Sequence, residues 1–402
     1  MSKRYPGGVV SATAPVVVGP VGGEGGTAPG IWTLDQAEDY LAQGLWPKPL
    51  VQGPLWVWGY NTNGQLGQND IVYRSSPVQV GALATWLNIA TGHAHTIATK
   101  SNGTLWTWGY NIPGQLGIGN SITRSSPTQV GALTTWSNIA GGAYFTAATK
   151  TDGTLWLWGQ NTYGQLGQND IVDLTSPVQV GALATWLNIA AGDYHTIAIK
   201  TNGTLWTWGK NTAGQLGQND VVYRSSPVQV GVLTTWSKIM GGNNYTVATK
   251  TDGTLWTWGS NQYGQLGLND VVYRSSPVQV GALTTWSNIS AGPRHTGATK
   301  TDGTLWLWGF NNNGQIGTNN IVNRSSPVQV GALATWLKIA AGQYQTAATK
   351  TDGTLWTWGN NQFGRLGLGN VVYRSSPVQV GALTTWAKIA NNYNWIAAIT
   401  SP

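Results

Sequence analysis

Residue types suited to chemistry are scarce in this chain of 402 residues. It holds four histidines, His93, His95, His195 and His295, and no cysteine. Clustered imidazoles can bind a transition metal or move protons near neutral pH. Asp193 is the one carboxylate at ligand spacing from any of them, and no Ser-His-Asp order or carboxylate pair accompanies them. The lack of Cys excludes a thiol nucleophile, a thiolate metal site and a disulfide scaffold. The chain is therefore expected not to be an enzyme, with no catalytic residue, metal or cofactor.

The elements that must position these histidines follow from a repeat. Thr-Asp-Gly-Thr-Leu-Trp-Thr-Trp-Gly, then x-Asn-x-x-Gly-Gln-Leu-Gly, runs from Thr251 to Gly267 and recurs along the chain. Its Trp-Gly pair falls at Trp58-Gly59, Trp108-Gly109, Trp158-Gly159, Trp208-Gly209, Trp258-Gly259, Trp308-Gly309 and Trp358-Gly359, every fifty residues without insertion. Each repeat reads as four short strands, shown in the second copy. Leu105–Trp108 alternates, 127–130 and 136–140 follow, and the Ala/Thr-rich 145–150 turns through Thr151-Asp152-Gly153 into the next Trp strand. The small side chains of that last strand are expected to lie nearest a central axis.

Seven equal units of antiparallel strands predict an all-β, seven-bladed β-propeller that hides most sheet edges by closing on itself. The repeats are 51–100, 101–150, 151–200, 201–250, 251–300, 301–350 and 351–400, within a domain 48–402. Six Asn/Asp-Gly turns join small-residue strands to Trp strands, and the seventh junction has none, so 54–59 is expected to pair with 394–400. The Trp-Gly-x-Asn-x-x-Gly-Gln-Leu-Gly run, with Gly-x-x-His-Thr at Gly192 to Thr196, resembles the regulator of chromosome condensation repeat. That resemblance covers 51–400 and implies a seven-bladed propeller. It leaves function open, because the family includes exchange factors, a plant ultraviolet sensor and a bacterial inhibitor of β-lactamases. No repeat carries an insertion to act as an exchange-factor wedge, and the sensor's motif is only partial, at Gly292 to Thr296.

Composition narrows the classes further. Net charge is +7, yet only 9% of residues are charged. The cations fall one per repeat in two columns, represented by Arg74 and Lys100, and not in one stripe, so nucleic acid is not an expected partner. No stretch is long and apolar enough for membrane insertion, and the N-terminus does not read as a signal peptide. The 24 Trp provide bulk that three Phe and two Met cannot, so Trp56, Trp58, Trp86 and their repeats are expected between blades.

Function is expected where the repeats differ. One variable column follows Trp-Gly and includes Tyr60, Tyr110, Lys210 and Phe310; three residues on, another includes Tyr163, Tyr263 and Phe363. A variable triplet precedes the small-residue strand and contributes His93, His95, Tyr144, Phe145, Tyr194, His195, Asn244, Arg294, His295, Tyr344 and Asn394. Strand direction places all of them at one end of the ring, with the near-constant turns at the other. Tyr, Asn, His and Arg on adjacent loops over a rigid frame form the composition of a binding surface.

Residues 1–47 complete the reading. They are Gly/Pro/Val-rich, with a short helix expected over 33–43, capped by Thr33 and lined by Leu34, Ala37 and Leu41. This segment resembles one found in bacteriophage tail-fibre and other virion proteins. The expected protein is a virion component assembled in the host cytoplasm and released by lysis. Its arm attaches to other virion proteins through Trp32, Leu34, Leu41 and Trp46, and its propeller presents a face to a host-surface glycan or protein. The alternatives are a capsid or neck decoration protein, and a soluble bacterial propeller acting as a protein-binding inhibitor or scaffold. Oligomeric state is left open.

Overall fold

The computed structural model describes residues 52–401 except Leu83, together with the two-residue strands Gly23–Glu24 and Pro47–Lys48. The chain divides into two units, Met1–Val51 and Gln52–Pro402. In the first, the two short strands pair in parallel. The helix expected over 33–43 and the attachment residues Trp32, Leu34, Leu41 and Trp46 lie outside the described residues.

The second unit is a ring of seven four-stranded antiparallel blades. In one blade the spatial order is Trp86–Thr91, His95–Lys100, Leu105–Gly109 and Arg124–Gln129. The same order recurs around the ring. In the last blade Trp386–Asn391 and Trp395–Thr400 are joined by Leu55–Gly59 and Arg74–Gln79 from the start of the ring. The register there sets Leu55 against Ile399, Val57 against Ala397 and Gly59 against Trp395. The junction that has no Asx-Gly turn is thus closed by strand pairing, which leaves no free edge at that point.

Local sequence explains each blade. Gly103 takes φ 77°, a left-handed conformation that glycine adopts without a Cβ clash. Beside it the Asn102 side-chain oxygen accepts bonds from Thr104 N at 3.2 Å and Thr104 Oγ1 at 2.7 Å, fixing the turn. In the following strand Leu105, Thr107 and Trp108 are fully buried while Trp106 is half-buried.

The expected strand order needs one correction. The strand lining the axis is Trp86–Thr91 and its equivalents: Ile89, Thr91, Ala140, Ala190 and their counterparts surround a central cavity of about 250 Å³. The small-residue strand His95–Lys100 comes second. Its residues His95 to Thr99 are all buried, because both of its faces meet other blades or strands. Small side chains reflect that two-sided packing, whereas the axial strand has one side open to the channel and carries Asn88 and Ile89.

Neighbouring blades are latched by the Gly-Gln-Leu-Gly loop. The Gln65 carbonyl accepts from Trp108 Nε1 at 2.9 Å and from Thr96 Oγ1 at 2.6 Å, both in the next blade. A Cβ on Gly64 would meet Ser125 Cα at 2.5 Å, so glycine lets the loop lie against its neighbour. Trp58, Trp108 and their five repeats are 0% exposed. Each contributes roughly 4–6 kcal/mol of gross burial free energy at about 25 cal/mol per Å², an upper bound.

Candidate binding face at the loop end of the ring

Antiparallel pairing sets the geometry of the site. His95 lies opposite Gly109, and Gly109 opposite Arg124, so the loops 92–94 and 110–123 leave the same end of the blade. The two variable columns are also bonded to each other. In all seven blades the N–H of the residue after Trp-Gly donates to the carbonyl of the middle triplet residue, as in Tyr110 to Ala94 at 2.8 Å and Phe310 to Arg294 at 3.0 Å. Variation in one column is therefore felt in the other.

The third triplet position does not belong to this face. His95, Phe145, His195 and His295 are 0% exposed, as are Tyr245 and Gln345 at the same phase. Each histidine places Nε2 against a threonine hydroxyl of the next blade: Thr146 at 3.1 Å, Thr246 at 3.0 Å and Thr346 at 2.8 Å. Burial lowers the pKa of His95 to about 3, with the His93 charge adding to it. Burial likewise takes His195 to about 4 and His295 to about 3, so all three are neutral packing groups at pH 7. Among the described residues no three of His, Cys, Asp and Glu gather as a metal site would require. Phe310 is also withdrawn, at 8% exposure.

The remaining candidates form three aromatic clusters at the loop end. In the first, His93 stands 3.5 Å from Tyr393 and 5.5 Å from Tyr144, ring centre to ring centre, and Tyr144 stands 5.9 Å from Tyr110. Close by, Lys210 lies 5.3 Å over both Tyr163 and Tyr194. In the second, the Arg294 guanidinium sits 5.5 Å from Tyr263, 5.6 Å from Phe310 and 5.9 Å from Tyr344. In the third, Tyr60, Tyr73 and Phe363 pack with centroids 4.9 to 5.3 Å apart. Asn244 and Asn394 serve the loops: Asn244 Oδ1 accepts from Gln215 Nε2 at 3.3 Å, and the Asn394 carbonyl accepts from Tyr60 N at 3.0 Å.

Asp193 and Tyr393 belong with these residues, although the sequence had offered Asp193 only as an acid at ligand spacing from the histidines and had not counted either among the face residues. Asp193 lies beside the channel and takes His93 Nε2 at 2.9 Å, an ion-pair contact and not an aligned hydrogen bond. It also accepts from Tyr393 Oη at 2.9 Å. Burial pushes its carboxyl upward, but the close His93 contact and the hydrogen bond from Tyr393 outweigh that and hold it below the usual carboxylate range. This contact joins loops of three blades at the channel mouth. Its signal in the sequence was a lone acid in an otherwise uncharged column.

The opposite end is uniform. There Lys100, Lys150 and their repeats lie 3.5 to 3.7 Å over half-buried tryptophans, whereas Arg224, which pairs with Asp220 at 2.6 Å, belongs to the loop end. Several of the chain's cations are thus engaged locally, one per blade.

The described residues thus form a closed ring of seven four-stranded blades, one end of which differs from blade to blade. Over residues 51–337 the sequence matches the RCC1-like domain family, and over 336–365 and 352–391 the regulator of chromosome condensation (RCC1) repeat. The chain belongs to the RCC1-like family. No curated protein sequence matches it. Among solved structures it is similar to human WBSCR16, with 19% identity, TM-score 0.77, and coverage of 87% of this chain and 99% of that one. It is also similar to Prp20p of Saccharomyces cerevisiae, described with its binding to Gsp1p and histones, at 20% identity, TM-score 0.77, and 90% and 94% coverage. Yeast RCC1 (Prp20) bound to Kap60 gives 18% identity, TM-score 0.78, and 100% and 97% coverage. At these identities the likeness is one of fold.

Proposed function

We propose that this chain is a non-catalytic recognition module of a bacteriophage virion, a tail fibre or appendage. Residues 1–47 attach it to the particle, and the loop end of the propeller engages a glycan or protein of the host surface. The observation that carries the reading is the asymmetry of the ring. One end holds partly exposed Tyr144, Tyr194, Arg294, Tyr344 and Tyr263 in clusters that differ from blade to blade, while the other repeats the same turn. Tyr and Arg give large contact area at low entropic cost and are enriched where binding energy concentrates. The binding of Gsp1p and histones by Prp20p, a propeller of similar fold, is consistent with recognition by such a ring. The virion setting rests on the arm's resemblance to phage structural proteins.

The test is competition. Purified full-length protein, added to host cells before the phage, is expected to reduce adsorption in a saturable way, and the protein is expected in purified particles. Full adsorption at saturating protein would leave a decoration role. Absence from particles would remove the virion reading.

A further inference from the structure

Arg365 breaks the repeat at a position where a polar neutral residue is otherwise invariant. Gln65, Gln115, Gln165, Gln215, Gln265 and Gln315 occupy it in the other six copies. The backbone does not need the change: the Arg365 carbonyl accepts from Trp58 Nε1 at 3.0 Å, as the Gln65 carbonyl does from Trp108. The side chain is 1% exposed, and its Nε and Nη1 have no hydrogen-bond partner. No Asp or Glu among the described residues pairs with it. Among the described residues the Phe363 ring lies 5.0 Å from the guanidinium carbon, and Tyr373 and Tyr344 interact with it electrostatically without supplying a carboxylate. Burial lowers its pKa to about 10, which still leaves it cationic at pH 7.

A buried cation without a counter-ion is a costly arrangement in a folded protein. A guanidinium offers a flat fork of donors that matches an oxyanion such as carboxylate. The wall beside it is aromatic: Tyr60, Tyr73 and Phe363 pack together, and Tyr73 is 41% exposed. Aromatic faces next to a lone cation suit a ligand with an apolar ring face and a negative substituent. The Asn394 Oδ1 is also buried without a partner, at the loop bonded to Tyr60.

We propose that Arg365, Phe363 and Tyr60 form a subsite for an acidic sugar. The sugar's carboxylate takes the free guanidinium donors, and its ring packs on the aromatic wall. Binding exchanges the Phe363 contact for an ion pair, so the Phe363 ring must swing off the guanidinium. The proposal rests on the loop end being a recognition face and names the chemistry that one part of it reads.

Full-length protein is titrated with sodium galacturonate and with sodium N-acetylneuraminate, with galactose and sodium acetate as controls. Saturable binding is followed by calorimetry and by the rise in Tm. At least one acidic sugar is expected to bind, galactose and acetate not. Arg365→Gln restores the residue of the other six blades; it should fold with an unchanged or higher Tm and bind the acidic sugar about tenfold more weakly or worse. Phe363→Leu, which keeps the cation, should weaken binding less. The proposal is overturned if neither acidic sugar binds, if galactose or acetate binds as well, or if Arg365→Gln binds unchanged. It is also overturned if that variant melts well below the parent, since Arg365 would then be structural. Loss of sugar binding in Arg365→Gln with host adsorption intact would refute the subsite's share in host recognition and leave the other loop-end clusters standing.

Discussion

The three buried histidines carry a pH dependence of stability whose sign follows from their environment. Each has a folded pKa depressed by burial, to about 3 or 4, below the ordinary 6.5. In the unfolded chain they take up protons as pH falls through 6.5, whereas in the ring they stay neutral. Their contribution is therefore complete above about pH 6.5 and is lost as pH falls toward 3 to 4, at about 1.4 kcal/mol per pH unit for each histidine. His295→Gln is a tolerable test, because Gln345 holds the same position one blade on and bonds to Asn391 Oδ1 at 2.8 Å. Urea unfolding between pH 7 and 4 should show less acid sensitivity in that variant than in the parent; an unchanged slope would contradict the burial argument. These histidines show why the site was only partly legible. A buried inter-blade column that accepts His, Phe, Tyr, Gln or Trp varies in sequence as much as a solvent-facing one does. Variability marked the loop but did not separate Tyr144, which is half-exposed, from Phe145, which is buried.

At the scale of the element, strand content and turns were legible because period-two alternation and Asx-Gly turns are local signals. Strand order was not. Small side chains report crowding, and crowding arises between blades as well as at an axis. The inter-blade latch also depends on a carbonyl, which no side-chain pattern displays. It supports a comparison within one molecule. Trp158 Nε1 donates to the Gln115 carbonyl at 3.0 Å, whereas the buried Nε1 of Trp208 has no partner. Both Trp→Phe substitutions shrink the same packed side chain, so the cavity cost is shared. Trp158→Phe should lose about 1 kcal/mol more than Trp208→Phe. Chemical denaturation of both variants measures the difference, and equal losses would remove the hydrogen bond from the account of blade coupling.

The whole ring depends on one non-local event, the docking of Trp395–Thr400 onto Leu55–Gly59. Deleting residues 393–402 removes Trp395, Ile396, Ala397, Ala398 and Ile399 from the core and exposes a strand edge. A large fall in Tm, or aggregation, is expected; an unchanged Tm would mean that the ring holds without its closing blade. Closure matters for function because the loop clusters span blades. The Asp193–His93–Tyr393 contact joins residues from the beginning, middle and end of the chain. Sequence order could place these residues at one end of their blades but could not bring them together, since no local signal records a meeting across the channel. The measurement that most directly tests the central claim compares the two ends of the ring in adsorption inhibition. Tyr144→Ala, Tyr194→Ala, Arg294→Ala and Tyr344→Ala form the loop-end set, Asp152→Ala and Asp302→Ala the turn-end set, each first shown to be folded by its melting curve. The account predicts that loop-end variants lose inhibition, with single losses of about 1–2 kcal/mol where a residue is a hot spot, and that turn-end variants inhibit like the parent. Equal inhibition by both sets would contradict it.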